Sequence, residues 1–246
     1  MRIDIMTLFP EMCLSVLDES IVGRARRDGL VEINCRDIRD YSKDKHRHVD
    51  DYTYGGGAGM IMQPDPIFDC FNAICRETGT RPHCVFMSPQ GSVFDQKTAV
   101  RLSKLPNLVL LCGHYEGVDE RIIEEIADEE ISIGDFVLTG GELPALMVSD
   151  AITRLLPGVL SSEECYRGES HFSGVLEYPQ YTRPPQFHGK DVPEVLLSGH
   201  AANIAKWRRR ESLKRTLERR PDMLEKAELS QSDMKILGEI CRENGK

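Results

Sequence analysis

Residues Ile131 to Ala145 read Ile-Ser-Ile-Gly-Asp-Phe-Val-Leu-Thr-Gly-Gly-Glu-Leu-Pro-Ala. A short apolar strand meets Gly134, a second apolar run meets Gly140-Gly141, and the spacing predicts a helix from Glu142. Glycine has no Cβ, so the main chain there turns sharply and can come close to a ligand. A ligand at such a bend is gripped by backbone N–H and C=O groups rather than by side chains. The same layout recurs at Leu108-Val-Leu-Leu-Cys-Gly113-His-Tyr-Glu-Gly117 and at Cys84-Val-Phe-Met-Ser-Pro-Gln-Gly91. Three such edges in one α/β domain predict one shared pocket.

The flanking pattern extends this reading in both directions. Arg2 to Phe9 alternates apolar and polar as a strand does. Pro10 suits the first turn of a helix, and the helical region runs to Arg27, where Asp28-Gly29 stops it. Leu30 to Cys35 is a second strand. Arg36 to Gln63 has no long apolar period and is read as a long loop, a feature that in compact domains is usually functional or disordered. Helix Pro64–Glu77 ends at Gly79. Then follow strand His83–Met87, helix Asp95–Lys104, strand Leu108–Cys112, helix Val118–Ile126, strand Glu130–Ile133, a short strand Phe136–Leu138 and helix Glu142–Leu156. Strands alternating with helices predict an α/β fold, a parallel sheet with helices on both faces.

After Pro157-Gly158 the pattern changes. Val159 to Gln186 is polar with isolated aromatics, and from Val192 onward every segment is helical. The chain is therefore divided into an α/β domain over 1–160, a linker over 161–176 and a small all-α domain over 177–246.

The 246 residues carry a net charge of −9 with 40% hydrophobic and 29% charged residues, ordinary for a soluble globular protein. No stretch approaches the roughly 18 apolar residues of a membrane span, and no basic-then-apolar leader opens the chain. The 8 cysteines form no Cys-x-x-Cys pair, and Cys70, Cys75, Cys84 and Cys112 lie in apolar runs. That pattern predicts reduced thiols and a cytoplasmic protein. The charge is unevenly spread: 17 Lys and Arg stand against 29 Asp and Glu up to Val175, and 14 against 11 from Leu176 onward. Lys206 to Arg220 holds eight basic residues and two acidic ones. Such a run is either a solvated helix face or a phosphate-binding surface, since salt screens the distant acidic charge within about 10 Å.

Common nucleotide motifs are missing. There is no Gly-x-x-x-x-Gly-Lys-Ser/Thr, and Gly55-Gly-Gly-Ala-Gly59 lacks the third glycine of the dinucleotide fingerprint. His46-Arg-His48-Val-Asp50-Asp51 resembles the start of a binuclear metallohydrolase motif, but it ends in Asp and sits among Lys43, Lys45 and Arg47, whose charges oppose a dication. A loop that orders over a polyanion is the preferred reading. Glu116 is either an acidic residue favouring a helix N-terminus or an acceptor for a ligand amine or hydroxyl. Glu169 and Arg154 could do acid–base work if brought together over a pocket. Trp207 beside Arg208-Arg-Arg210 is first a helical core anchor. An aromatic among arginines also suits an unstacked base and its phosphate.

Tyr54-Gly-Gly-Gly-Ala-Gly-Met60, Ser88-Pro-Gln-Gly91, Gly113-His-Tyr-Glu-Gly-Val-Asp-Glu-Arg121, Ile133 to Ala145, Tyr178-Pro-Gln-Tyr-Thr-Arg-Pro184 and Trp207-Arg-Arg occur in one order. Together they resemble the bacterial tRNA (guanine-N1)-methyltransferases of the TrmD type over nearly the whole chain. The resemblance implies a SPOUT-class α/β domain with a trefoil knot in its C-terminal half, a homodimer with each active site at the subunit interface, and methylation of guanosine N1 at tRNA position 37. It implies S-adenosylmethionine bound by Pro89, Gly91, Gly113, Tyr115, Glu116, Ile133, Gly134, Leu138, Gly140, Gly141 and Pro144. It places Glu169 as the base and Arg154 near guanine O6, with Asp50, Gly59, Ser170, Trp207 and Arg208 on the tRNA side. Magnesium is implied too, bound weakly through Glu169 or through water and substrate oxygens. The chain departs from the family at two places: the commonest residue at the base position is Asp where Glu169 stands, and many members have Pro where Ala58 stands. The rival readings are a non-catalytic RNA-binding protein on the same scaffold and the metallohydrolase suggested by His46 and His48.

Overall fold

A computed structural model describes residues 1–57, 59–162 and 164–243, so Ala58 lies outside the described residues. The chain forms two compact units, Met1–Ser162 and Glu163–Lys246.

In the first unit the strands are β1 (Arg2–Thr7), β2 (Glu32–Asp37), β3 (Asp50–Tyr52), β4 (Met60–Met62), β5 (His83–Val93), β6 (Asn107–Cys112) and β7 (Glu129–Ser132). Five of them make one sheet in the order β2-β1-β6-β5-β7, every pairing parallel. The helices are α1 (Pro10–Leu17), α2 (Ser20–Arg27), α3 (Pro64–Thr78), α4 (Gln96–Leu102), α5 (Glu120–Ile126) and α6 (Glu142–Thr153). Side chains alternate across the sheet as a pleated strand requires. Leu108, Leu110 and Cys112 of β6 enter one core with Leu17, Ala25, Leu102, Val148 and Ile152 of α1, α2, α4 and α6. Val109 and Leu111 enter the other, with Ile67, Phe71 and Ile74 of α3 and Ile122 and Ile126 of α5. Each fully buried Leu or Ile contributes about 1.5–3 kcal/mol, so both faces of the sheet are held by helices. Local signals set the helix ends. Pro64 opens α3, and Gly79 closes it at φ 68°. Asp95 accepts a 2.8 Å hydrogen bond from the Thr98 amide at the start of α4.

Several expectations need correction. The helical region from Pro10 to Arg27 is two helices, because Ser20 takes a left-handed φ of 54° and turns the chain between them. The long loop is partly structured. A 3₁₀ turn spans Ile38–Tyr41, and β3 pairs antiparallel with β4. These pieces are too short to show a period. They are held by hydrogen bonds such as the Arg39 amide to Asp37 at 2.9 Å. The strand expected at Phe136–Leu138 does not form. Its apolar side chains face outward, with Val137 82% exposed, and no neighbouring strand pairs with it. Strand β5 runs on to Val93, with irregular pairing to β7 between Met87 and Ser92.

The second unit contains α7 (Glu164–Arg167), β8 (Gln186–Phe187), β9 (Lys190–Asp191), α8 (Glu194–Leu197), α9 (Ala201–Arg219), α10 (Pro221–Leu224) and α11 (Gln231–Glu243). The antiparallel β8–β9 ribbon departs from an all-helical unit. Val175, Leu213 and Ile240 form its core, with Leu217, Ile236 and Leu237 packed around them. Trp207 is not part of that core. Its ring tilts against Tyr181 at 6.4 Å instead.

One ion pair ties α9 to α11. Arg209 donates to both carboxylate oxygens of Asp233 at 2.7 and 2.8 Å, and the Ser230 amide and hydroxyl donate to Asp233 Oδ2. The Arg209 guanidinium holds the Asp233 carboxyl well below the usual carboxylate range. A depressed acid stabilises the fold fully above its unfolded pKa of about 4 and loses that contribution as pH falls below it. Asp233→Asn is therefore expected to destabilise the second unit by about 1–3 kcal/mol at pH 7. It should also flatten the fall in stability below about pH 4. Thermal melts of both proteins across that range are the check; parallel curves would remove the pair from this role.

Candidate active site

The carboxyl ends of β5, β6 and β7 lie side by side, and one cleft opens beyond them. It is bordered by Phe86 to Pro89 within β5, where its pairing to β7 becomes irregular, by Gly113 to Gly117 after β6, and by Ile133, Gly134 and Phe136 to Gly141 between β7 and α6. Ligands of open α/β sheets bind in such crevices at strand carboxyl ends. Including its open mouth the cleft encloses about 710 Å³.

The turns are packed too closely for side chains at two points. A Cβ on Gly141 would lie 2.7 Å from Cys112 Cα and 3.1 Å from the Gly113 nitrogen. The Gly141 amide donates to the Gly113 carbonyl at 2.9 Å, so the segment entering α6 lies directly on the end of β6. At Gly140 a Cβ would meet Glu142 Oε2 at 2.4 Å and His114 Nδ1 at 2.7 Å. Buried Glu142 is tied to the end of β1, since Thr7 Oγ1 donates to Glu142 Oε1 at 2.7 Å. His114 Nδ1 is buried without a hydrogen-bond partner among the described residues, and its ring packs against Phe9 and Tyr115.

The turn after β6 carries a second constraint. Tyr115 holds a left-handed φ of 58°, a conformation that costs a non-glycine residue about 1–3 kcal/mol and often marks functional sites. Strand β4 braces this turn. The Glu116 amide donates to the Met60 carbonyl at 3.0 Å, and the Met62 amide donates to the Gly117 carbonyl at 2.9 Å. At Gly59, φ is +88° and a Cβ would sit 2.8 Å from Glu116 Oε1. The glycine-rich loop is thus anchored beside Glu116.

Of the positions expected to bind a cofactor, Pro89, Gly113, Tyr115, Glu116, Ile133, Gly134, Leu138, Gly140, Gly141 and Pro144 border the cleft. Gly91 does not. A Cβ there would lie 2.3 Å from the Glu130 carbonyl carbon, so the close approach of β5 to β7 accounts for that glycine. Phe86, His114, Phe136, Val137 and Thr139 also border the cleft and were not expected. The Gly-His-Tyr-Glu-Gly run was a signal for His114, but Phe136 and Val137 were obscured by the strand reading.

Asp50 begins β3, opposite Met62 of β4. Arg154 is the residue that closes α6, its amide donating to the Asp150 carbonyl at 3.1 Å. Glu169, Ser170, Trp207 and Arg208 belong to the second unit. The Glu169 amide donates to the Tyr166 carbonyl, and the Glu169 carbonyl accepts from the Ser173 amide. His48 Nδ1 pairs with Asp44 at 3.1 Å, and Arg47 pairs with Asp37 and Asp40. Among the described residues no three His, Cys, Asp or Glu side chains gather to hold a metal ion. No disulfide forms among the described residues, and burial pushes the Cys70, Cys84 and Cys112 thiols up. No helix among the described residues is long and apolar enough to cross a membrane.

A parallel α/β sheet with a cleft at its strand ends, bordered by tightly packed glycine turns, has the arrangement in which enzymes of open α/β sheets bind their ligands. More particularly, the chain belongs to the tRNA (Guanine-1)-methyltransferase TrmD family, whose model matches residues 1–226. It is 59% identical over 226 residues to a protein of Ruminiclostridium cellulolyticum named tRNA (guanine-N(1)-)-methyltransferase, covering 92% of this chain and 97% of that one. A protein of the same name from Dehalococcoides mccartyi is 54% identical, covering 99% and 98%. Another from Halalkalibacterium halodurans is 50% identical over 246 residues, the full length of both chains.

Proposed function

We propose that this protein transfers a methyl group from S-adenosylmethionine to N1 of guanosine 37 of tRNA, beside the anticodon. What carries the reading is the end-to-end likeness to relatives named tRNA (guanine-N(1)-)-methyltransferase, 50–59% identical, coupled to a strand-end cleft bordered by Gly113, Gly134, Gly140 and Gly141. The donor fits a cradle of this kind. Main-chain groups around Gly113 and Gly141 would hold it, Ile133, Leu138 and Pro144 supply apolar walls, and exposed Glu116 is placed to accept from an amine or hydroxyl. When bound, S-adenosylmethionine supplies an electrophilic methyl group, so no covalent enzyme intermediate is called for.

The chain's own task is to make guanine N1 nucleophilic. N1 carries a proton at neutral pH, and its lone pair becomes available only as that proton leaves. Negative charge then builds on O6. In this reading Glu169 takes the proton and Arg154 stabilises O6. The extra methylene of Glu169 relative to Asp is accommodated by the segment that carries it. Asp50, Gly59, Ser170, Trp207 and Arg208 are proposed to face the RNA. Magnesium has no cage among the described residues, and no step is routed through it.

Two further features belong to the proposal. The Gly141 segment lying on the end of β6 supports a chain that passes through the loop after β6, a trefoil knot. Phe9 just before α1, Met12 and Val16 on α1, and Leu143 and Met147 on the neighbouring α6 are exposed apolar side chains. A second copy of the chain is proposed to cover them, completing each active site at the interface of a cytoplasmic homodimer.

The test is transfer of labelled methyl to a tRNA transcript, followed by mapping of the modified base. Label on N1 of G37 is the expected result. Tight tRNA binding with no transfer from the labelled donor would instead favour a non-catalytic RNA-binding protein.

A further inference from the structure

The second unit has two adjoining hollows that share Tyr178 and Gln180. One is aromatic and apolar, walled by Tyr178, Tyr181, Pro184, Leu196 and Ile204 with Arg208 at its side. The other is polar, with Ser170, Glu177, Arg215 and Arg219 around it. The Glu177 carboxylate is engaged, accepting from Gln180 Nε2 at 3.0 Å.

Helix α9 walls both hollows, and the arginines along and just after it divide into two sets. Arg209 is bound to Asp233, Arg210 to Glu243, and the following Arg220 to Asp222. Arg208, Arg215 and Arg219 have no carboxylate partner among the described residues. The Arg208 guanidinium lies over the Tyr178 ring at 4.8 Å, and Arg215 Nη1 reaches the Glu177 carbonyl at 3.4 Å. At 3.6 residues per turn these three share one face of α9, about 16 Å from first to last. The arginines left without acidic partners are therefore the ones that face the hollows, whereas the paired ones serve the helix packing.

Aromatic faces with a guanidinium alongside suit an unstacked base, and paired arginines suit a phosphate. Because the hollows share Tyr178 and Gln180, a base in the first leaves its phosphate beside the second. We propose that the second unit holds one unstacked nucleotide of the RNA substrate, its base against Tyr181 and a phosphate between Arg215 and Arg219. This rests on the tRNA reading above and adds a defined subsite to it.

The test uses the full-length protein and a tRNA transcript, with binding measured across a salt series. The Arg215→Ala/Arg219→Ala double variant should lower the slope of log Kd against log salt by about 1–2. Half-exposed Tyr181 should lose affinity about tenfold or more on Tyr181→Ala with its salt slope unchanged, and keep affinity on Tyr181→Phe. Unchanged slope in the double variant, or equal losses for Tyr181→Ala and Tyr181→Phe, would overturn the proposal. So would a shift from dimer to monomer mass on Tyr181→Ala, which would make the hollow a seat for a second copy of the chain. If the wild-type protein methylates tRNA and these variants bind it normally, the subsite alone is wrong. If the wild-type protein does not methylate tRNA, the underlying reading has failed.

Discussion

Glu169→Ala is expected to lower kcat for methyl transfer by about 10²- to 10⁴-fold, the range of a lost general base, while the Kd for S-adenosylmethionine stays within about twofold. The separation follows from placement. The cleft proposed for the donor is built wholly from the first unit, whereas Glu169 lies in the second. In the proposed reaction, removing its carboxylate deletes the group that takes the N1 proton and leaves Gly113, Gly140 and Gly141 untouched. The defect should shrink as pH rises, because solvent then removes more of the N1 proton without help. Glu169→Gln should fail as Ala does, and Glu169→Asp should keep most of the rate, because a carboxylate one bond shorter still reaches after a small adjustment of the backbone. Arg154→Ala is expected to lower the rate with a different pH response, since it leaves the base in place and removes the charge facing O6. Single-turnover rates with saturating donor settle the matter; turnover near wild type in Glu169→Ala would take this residue out of the reaction.

Gly141→Ala is expected to damage donor binding rather than the chemical step, for a steric reason. Its new Cβ would stand 2.7 Å from Cys112 Cα and 3.1 Å from the Gly113 nitrogen. Both are main-chain atoms of a central strand and cannot rotate aside. The bend must shift instead, breaking the 2.9 Å hydrogen bond from the Gly141 amide to the Gly113 carbonyl and moving both walls of the cleft. Overpacking of this kind costs about 1–3 kcal/mol, which lowers Tm by about 2–4 °C per kcal/mol in a protein of this size. The donor Kd should rise at least about tenfold even in the folded protein, as a displacement of the main chain removes the grip it provides. Gly140→Ala is the informative contrast. Its nearest neighbours, Glu142 Oε2 and His114 Nδ1, are side-chain rather than main-chain atoms, so its Tm should fall less. Calorimetric donor titration beside thermal melting separates the two effects. Wild-type affinity and Tm in Gly141→Ala would mean that this bend is not packed as described.

The two substitutions probe different levels of organisation, which also differ in how far the linear chain reveals them. Glu169 was reached through the ordered motifs and the chemistry of guanine, and its approach to Arg154 over a substrate is a property of the proposed complex. Gly141 was marked by its position at a strand end, but the reason it must be glycine is its contact with Cys112, 29 residues earlier in the chain. Gly91 teaches the converse. It carries the same strand-end signature, yet its bare Cα is explained by Glu130 on the neighbouring strand. Both glycines are required by packing, but Gly141 borders the cleft and Gly91 does not, and only the tertiary structure separates them.

Burial of both faces of the sheet, the alternation of strand and helix, the basic density of α9 and the family itself were all decided by the order of residues alone. These depend on repeats of two and 3.6 residues or on motifs read in sequence. Tertiary structure decided what local periods cannot carry: that Phe136–Leu138 forms a cleft wall rather than a strand, that Gly59 lies against Glu116, and that Arg208, Arg215 and Arg219 are arginines of their helix without a carboxylate partner among the described residues. Each of these depends on which main chain or carboxylate, remote in sequence, is brought within a few ångströms by packing.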